Sequence, residues 1–272
     1  MIGKLKHIAI QPRDETIMML VAEFRFLSRE QLQVLLDFPC VTRINIRLKK
    51  LFDHGYLSRF SLPTIAGKPK ALYFLGPQGI NLASAQLSLA PSDLAKERKH
   101  LQERKYLFVS HQLFLNEVRI AFILAISNQP IMAIDRWLKE WDCVAQFLSS
   151  ERKQTTLRPD ACLCLTYQGK RYSFFVEVDR STMTKGRLQA KAKAYLEYAR
   201  SGRSSQDFGF HYFRVLIITK TEARLDHLKT TIEKTTDHLF YLTSQNNIAS
   251  DSILDRIWQR AGRQGLFSLL EG

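Results

Sequence analysis

The sequence predicts an α/β protein in two parts: a small helical module closed by a β-hairpin, then a larger α/β domain. Three observations carry that expectation. Helical periodicity gives way to strand-like runs after Gly55. A second block, beyond residue 105, reads helix, three strands, helix, strand. Between them, residues 87–104 open on Ser, Ala and Pro and become a charged helical stretch, AKERKHLQERK. The expected domains are therefore 1–86 and 105–272, with 87–104 as linker.

In the first part, Thr16 to Phe26 is apolar and compact, as a helix requires. Ser28 followed three residues later by Gln31 is a capping box, and Leu32, Leu35 and Leu36 follow at helical spacing. Pro39 ends that helix by excluding the helical conformation from its predecessor. A third helix is expected from Val41 to His54, with Gly55 as a left-handed cap. Tyr56–Phe60 and Ala71–Leu75 read as strands around a turn, Thr64–Lys70, rich in Gly, Pro and Lys. A short helix to Gln86 follows. Three helices and a hairpin make the winged helix-turn-helix plan.

On a helical wheel, Val41, Ile44, Leu48, Leu51 and Phe52 form one core-facing arc. Thr42, Arg43, Ile46, Arg47, Lys49 and Lys50 occupy the other side, which carries four cations and no acid. Placed in a major groove, Arg and Lys pair with guanine edges or phosphates, and Ile46 suits a thymine methyl. Lys68 and Lys70 in the expected wing suit the phosphate backbone. The alternatives are an ordinary solvated helix face and a winged helix used for protein contact.

Composition fits this reading. The 272 residues hold 40 Lys+Arg against 26 Asp+Glu, a net charge of +14. Nucleic-acid phosphate and anionic lipid are the partners such a surplus favours. Residues 1–86 carry 12 basic and 6 acidic residues, so the remainder carries 28 and 20, and neither half is a charged tail. A hydrophobic fraction of 45% excludes a disordered chain. Cys40, Cys143, Cys162 and Cys164 lack zinc spacing, and Cys162 and Cys164 alternate within an apolar run, as small buried residues of a reducing compartment do. No signal peptide is visible. The apolar runs Ile120–Ile126 and Val215–Ile218 fall short of the ~20 residues of a membrane span. A cytoplasmic protein without a membrane partner is expected.

In the second part, helices are expected at 110–127 and 185–200, and strands at 131–137, 160–167, 171–178 and 213–219. Further pieces are expected at 223–235, 239–243 and 251–264. Asp160 follows Arg158 and Pro159 at the head of one hairpin arm; Glu177 and Asp179 end the other arm. Alternation puts Glu177 and Asp179 on one face. Carboxylates ending an apolar hairpin must be solvated, paired or bound to a cation. The pattern resembles the PD-(D/E)XK nucleases, whose core runs α-β-β-β-α-β. That resemblance implies Mg²⁺ held by Asp160, Glu177 and Asp179, with Glu117 assisting from the preceding helix. The position two after Glu177 is Asp179 rather than the motif's Lys. Lys191 lies at the edge of the sheet-facing stripe of Leu188, Ala192, Tyr195 and Ala199, whereas Lys193 points to solvent. Lys191 is thus the candidate migrated lysine, and Asp160, Glu177, Lys191 and Glu117 form the candidate catalytic set. The other reading is structural: Asp160 caps a strand or pairs with Arg158, and Glu177 and Asp179 pair with Arg180, Arg187 or Lys191 in an ion network.

The order of motifs is more telling than any one of them. The helix-turn-helix pattern, the helix His111–Val118, Arg158-Pro159-Asp160, and Phe175–Thr182 (FVEVDRST) together resemble the replication-relaxation family over about residues 14–220. That resemblance implies a plasmid or mobile-element protein acting in replication, relaxation or mobilisation of DNA. Its implied partners are double-stranded DNA and other replication, mobilisation or transposition proteins. An accessory DNA-binding protein, a Mg²⁺-dependent endonuclease and a protein-interaction adaptor all remain open at this point.

Overall fold

The computed structural model describes residues 8–62, 69–103, 106–127, 129–181, 183–248 and 252–271. It divides into two compact units, 1–117 and 118–272.

The first unit begins with α1 (Pro12–Phe24), where Pro12 tolerates the first turn because its missing N–H would be unpaired there anyway. β1 (Leu27–Ser28) leads into α2 (Arg29–Leu35). The capping box forms: Ser28 Oγ accepts from Gln31 N–H at 3.3 Å and Gln31 Oε1 accepts from Ser28 N–H at 3.0 Å. α3 (Val41–Asp53) ends at Gly55, whose φ of +75° is the left-handed cap expected of it. β2 (Leu57–Leu62) and β3 (Lys70–Leu75) pair antiparallel, and β1 adds to β3, giving the order β1-β3-β2. α4 (Pro77–Leu87) starts against the turn after α3. A Cβ on Gly79 would stand 2.1 Å from the Tyr56 carbonyl, so only glycine permits that approach. Ile17, Met18, Val21, Phe24, Phe26, Leu32, Ile44, Leu48, Leu51 and Phe74 make the core.

The segment expected to be a charged helical linker does form a helix, but one that packs into the first unit. Residues Pro91–Glu103 form α5, with Leu94 and Leu101 buried, and Arg25 bonds Glu97 at 3.1 Å. The charged run hid an apolar pair seven residues apart, two helical turns on one face. α6 (Tyr106–Ser127) also starts earlier than expected, and the unit boundary falls within it. Its 22 residues are long and apolar enough to cross a membrane, which corrects the expectation that no segment reaches that length. Over half of its apolar window is buried in the fold, as in a core helix. Asn116 is buried and donates to the carbonyls of Phe24 (3.3 Å) and Phe26 (2.8 Å), satisfying the chain reversal before β1.

The second unit is built on β4 (Met132–Lys139), β5 (Ala145–Leu148), β6 (Gln154–Leu157), β7 (Ala161–Tyr167), β8 (Lys170–Asp179), α7 (Lys185–Ser201), α8 (Ser204–Phe208), β9 (Arg214–Thr219), α9 (Glu222–Glu233), β10 (Phe240–Ser244), β11 (Trp258–Arg260) and β12 (Leu266–Phe267). The expected α-β-β-β-α-β order is α6, β4, β7, β8, α7, β9. The seven-stranded sheet runs β12-β11-β10-β9-β8-β7-β4. β4, β7 and β8 are antiparallel to their neighbours in turn, while β8, β9 and β10 are parallel, each crossover made by a helix. An unforeseen hairpin, β5–β6, is inserted before β7. Ala145, Phe147 and Leu157 from it join Cys162, Phe175, Leu188, Tyr195, Tyr198 and Phe213 in one core on the Glu177 side of the sheet. All four cysteines are free, and Cys143, Cys162 and Cys164 are buried.

Candidate functional site

Helix α3 presents most of the expected cationic face. Thr42, Arg43, Lys49 and Lys50 are exposed, and Ile46 is 52% exposed, a bare aliphatic among polar neighbours. Asn45 is exposed at the border of that face and was not singled out from the sequence. Its amide is of the kind that pairs with adenine edges. Lys49 bonds Asp53 at 2.6 Å, an i,i+4 surface pair of small energetic weight.

Three expectations for this helix need correcting. Arg47 does not face outward for a groove: both Nε and Nη2 donate to the carboxylate of Asp14, and Nη2 also reaches the Ala9 carbonyl at 3.2 Å. Asp14 is fully buried and also accepts Gln11 N–H at 2.7 Å, so a cation had to come to it. Val41 is 44% exposed, because the first turn of α3 projects beyond the core. Phe52 is only half-buried and lies beneath the Arg59 guanidinium, 4.5 Å away. In the expected wing, Lys70 is half-buried at the start of β3, and Lys68 lies outside the described residues.

The acids of the second unit separate into two groups. Asp160 is strapped alongside β8: its N–H donates to the Val176 carbonyl (3.1 Å) and its Oδ2 accepts Val178 N–H (2.8 Å). Glu177 lies between those residues with its side chain directed at α7, where Lys191 Nζ donates to Oε2 and the Tyr195 hydroxyl donates to Oε1. Lys191 and Tyr195 are four apart, hence neighbours on one helix face. Burial pushes the Glu177 carboxyl up to about 7; Lys191 opposes the shift and the negative charge of Asp160 adds to it. Lys191 moves upward despite burial, held as an ammonium by Glu177, Asp160 and, more weakly, Glu140. Tyr195 is raised well above its ordinary value by burial and the adjacent carboxylate.

Asp179 shares the face of Glu177 as expected but belongs to another pair. Arg224 on α9 binds it through Nε (2.7 Å) and Nη2 (3.2 Å), and Nη2 also reaches the Met183 carbonyl at 2.7 Å. The three acids Asp160, Glu177 and Asp179 are not gathered: among the described residues no group of three or more His, Cys, Asp or Glu is placed to hold a metal ion. Glu117 is half-buried on α6, the last residue of the first unit. Sequence reasoning missed Tyr195 as a polar partner, Glu140 and Arg224. The i,i+4 spacing from Lys191 was a usable signal for Tyr195; Arg224 had none, being 45 residues from Asp179.

Among curated proteins, none matches this chain. Among solved structures, restriction endonuclease FokI aligns at 15% identity with a TM-score of 0.29, over 90% of this chain and 48% of that one. This chain therefore spans about half the length of that enzyme. The profile described as replication-relaxation matches residues 18–211, from α1 through Asp160 and the strand carrying Glu177 to the loop before β9, and the chain belongs to the replication-relaxation family.

Proposed function

We propose that this is a cytoplasmic, sequence-directed duplex-DNA-binding protein of a plasmid or other mobile element, acting in replication, relaxation or mobilisation. The observation that carries the reading is the exposed side of α3, where Thr42, Arg43, Asn45, Ile46, Lys49 and Lys50 stand together and the one acid of the helix, Asp53, is paired with Lys49. Hydroxyl, amide, guanidinium and aliphatic groups on one helix match the groups presented by base edges. Exposed lysines supply the phosphate term. The test is fluorescence anisotropy on duplex DNA across a salt series. Arg43→Ala and Lys50→Ala are each expected to weaken binding about tenfold, and Lys50→Ala, which deletes one phosphate-neutralising charge, is expected to lower the salt slope by about 1. Unchanged affinity in both variants overturns the reading.

A second reading, a Mg²⁺-dependent endonuclease, is favoured by one observation: Asp160, Glu177 and Lys191 lie together. Two carboxylates suffice for Mg²⁺, which takes its other positions from water and substrate phosphate. The donor set fits, since a cation beside Asp160 and Glu177 would relieve the burial and repulsion that raise Glu177. Those two side chains would hold the ion, which supplies charge stabilisation at phosphoryl oxygens. Lys191 carries the positive charge that orients a phosphate, and Tyr195 fixes the Glu177 carboxyl. Asp179 stays with Arg224. Supercoiled plasmid incubated with the protein and Mg²⁺ is expected to be nicked, with Asp160→Ala and Glu177→Ala each losing about a hundredfold or more in rate. An intact plasmid in the presence of normal duplex binding leaves the accessory role alone standing.

A further inference from the structure

The face of the large sheet opposite Glu177 carries a second arrangement of charge and aromatic rings. Paired residues in a sheet point the same way. Phe174 pairs with Arg214, Leu216 with Tyr241 and Tyr241 with Arg260, so Tyr172, Arg214, Tyr241 and Arg260 share that opposite face. They interleave: the Arg214 guanidinium is 6.0 Å from the Tyr172 ring and 5.1 Å from Tyr241, and Arg260 is 5.0 Å from Tyr241 and 5.1 Å from Phe267. Arginine and aromatic alternate from β8 across to β12, but Tyr241 is buried and the C-terminal segment accepts from Tyr172 through the Leu270 carbonyl, so the row is packed and only its β8 end is open.

At the β8 end this row reaches a cleft of about 210 Å³ where β8 has no strand beside it, lined by Tyr172, Tyr212 and Arg214 and also by Arg171 and Ser173, which alternate to the Glu177 face of the sheet. The cleft exists because β9 begins only at Arg214, opposite Phe174, so this side of residues 171–173 has no strand against it. Tyr212 is 90% exposed and Arg171 is exposed. Among the described residues no carboxylate lines the cleft. Arg214 is held by the backbone carbonyls of Leu269 and Glu271, which position a guanidinium without cancelling its charge. An uncompensated cationic cleft with an exposed ring at its mouth is complementary to a phosphate joined to a flat base.

We propose that this cleft binds single-stranded nucleic acid, a base stacking on Tyr212 and phosphates lying on Arg171 and Arg214. The site is separate from α3 and needs neither reading of the acids. The experiment is anisotropy of a labelled oligothymidine of about 15 nucleotides, a length set by typical single-strand footprints, against a hairpin duplex, using the full chain. Arg171→Ala/Tyr212→Ala is expected to weaken oligothymidine binding about tenfold or more and to leave the duplex affinity unchanged. Tyr212→Phe retains the ring and is expected to bind as the parent does. Arg43→Ala is expected to do the reverse, lowering duplex affinity alone. Failure of the parent protein to bind oligothymidine, retention of affinity in the double variant, or a parallel loss on both probes overturns the proposal.

Discussion

Arg47→Ala is expected to cost the first unit about 3–5 kcal/mol, far more than any other single change on the polar side of α3. The reason is Asp14, which is fully buried and has both of its carboxylate oxygens met by Arg47. Removing the guanidinium leaves a desolvated carboxylate with one backbone N–H, from Gln11. Arg43→Ala, on the exposed side of the same helix, is expected to stay within about 0.5 kcal/mol of the parent. Urea denaturation, with hydrogen exchange of α1 and α3 peptides to assign the transition to this unit, separates the two. Asp14→Asn/Arg47→Met, which removes both charges, is expected to recover most of the loss. An Arg47→Ala protein as stable as the parent but deficient in duplex binding would return Arg47 to the DNA-facing surface.

That distinction explains how much of the helical unit was legible in the sequence. The capping box at Ser28 and Gln31 and the left-handed Gly55 are local devices, decided within four residues, and both form as read. The wheel placed Ile44, Leu48 and Leu51 inward correctly because a helix face follows from spacing alone. It placed Arg47 outward because polarity stood in for exposure. The partner that draws Arg47 inward, Asp14, sits 33 residues earlier on another helix, and nothing in its neighbourhood announces that it will be buried. The same limit turned α5 into an expected linker, its charges outnumbering the two leucines that anchor it.

In the larger unit the long strands were readable from their apolar runs, whereas β5 and β6 were not. Each is four residues long, separated by a polar turn, and only Ala145, Phe147 and Leu157 reach the core. The candidate acids show the same division. Glu177 and Lys191 were brought to one edge by period-2 and period-3.6 arguments, and the structure joins them. Whether Asp179 would stay with Glu177 was a contest between cations, and the winner, Arg224, comes from α9 after two helices and a strand have intervened. Spacing decides which face a residue occupies; it does not decide which of several opposite charges reaches it.

The second large effect is expected in the pH dependence of stability. The Glu177 carboxyl is raised from its ordinary value of 4.5 to about 7, with burial as the main cause. A group raised on folding takes up its proton more readily in the native state, so its contribution is fully present below about 4.5 and is lost as the pH rises through about 7. At 1.36 kcal/mol per pH unit, that window corresponds to a loss of about 3 kcal/mol between acid and neutral conditions. Lys191 stays charged throughout it, since its own shift is upward. Glu177→Gln, which does not titrate, is expected to flatten the melting temperature between pH 4.5 and 7, the two values that bound the window. Lys191→Met removes the nearest counter-charge; the carboxyl then rises further and the decline continues beyond neutrality, with a cost of about 3 kcal/mol at alkaline pH. Tyr195→Phe keeps the ring in its packing against Phe175 and Phe213 while deleting the hydroxyl bond, and is expected to shift the same window upward by less. Thermal melts of the three variants from acid through mildly alkaline pH make the comparison. A Glu177→Gln protein with the parent's slope would mean that another group titrates in this range and that the Glu177–Lys191 pair is not the one on which neutral-pH stability turns.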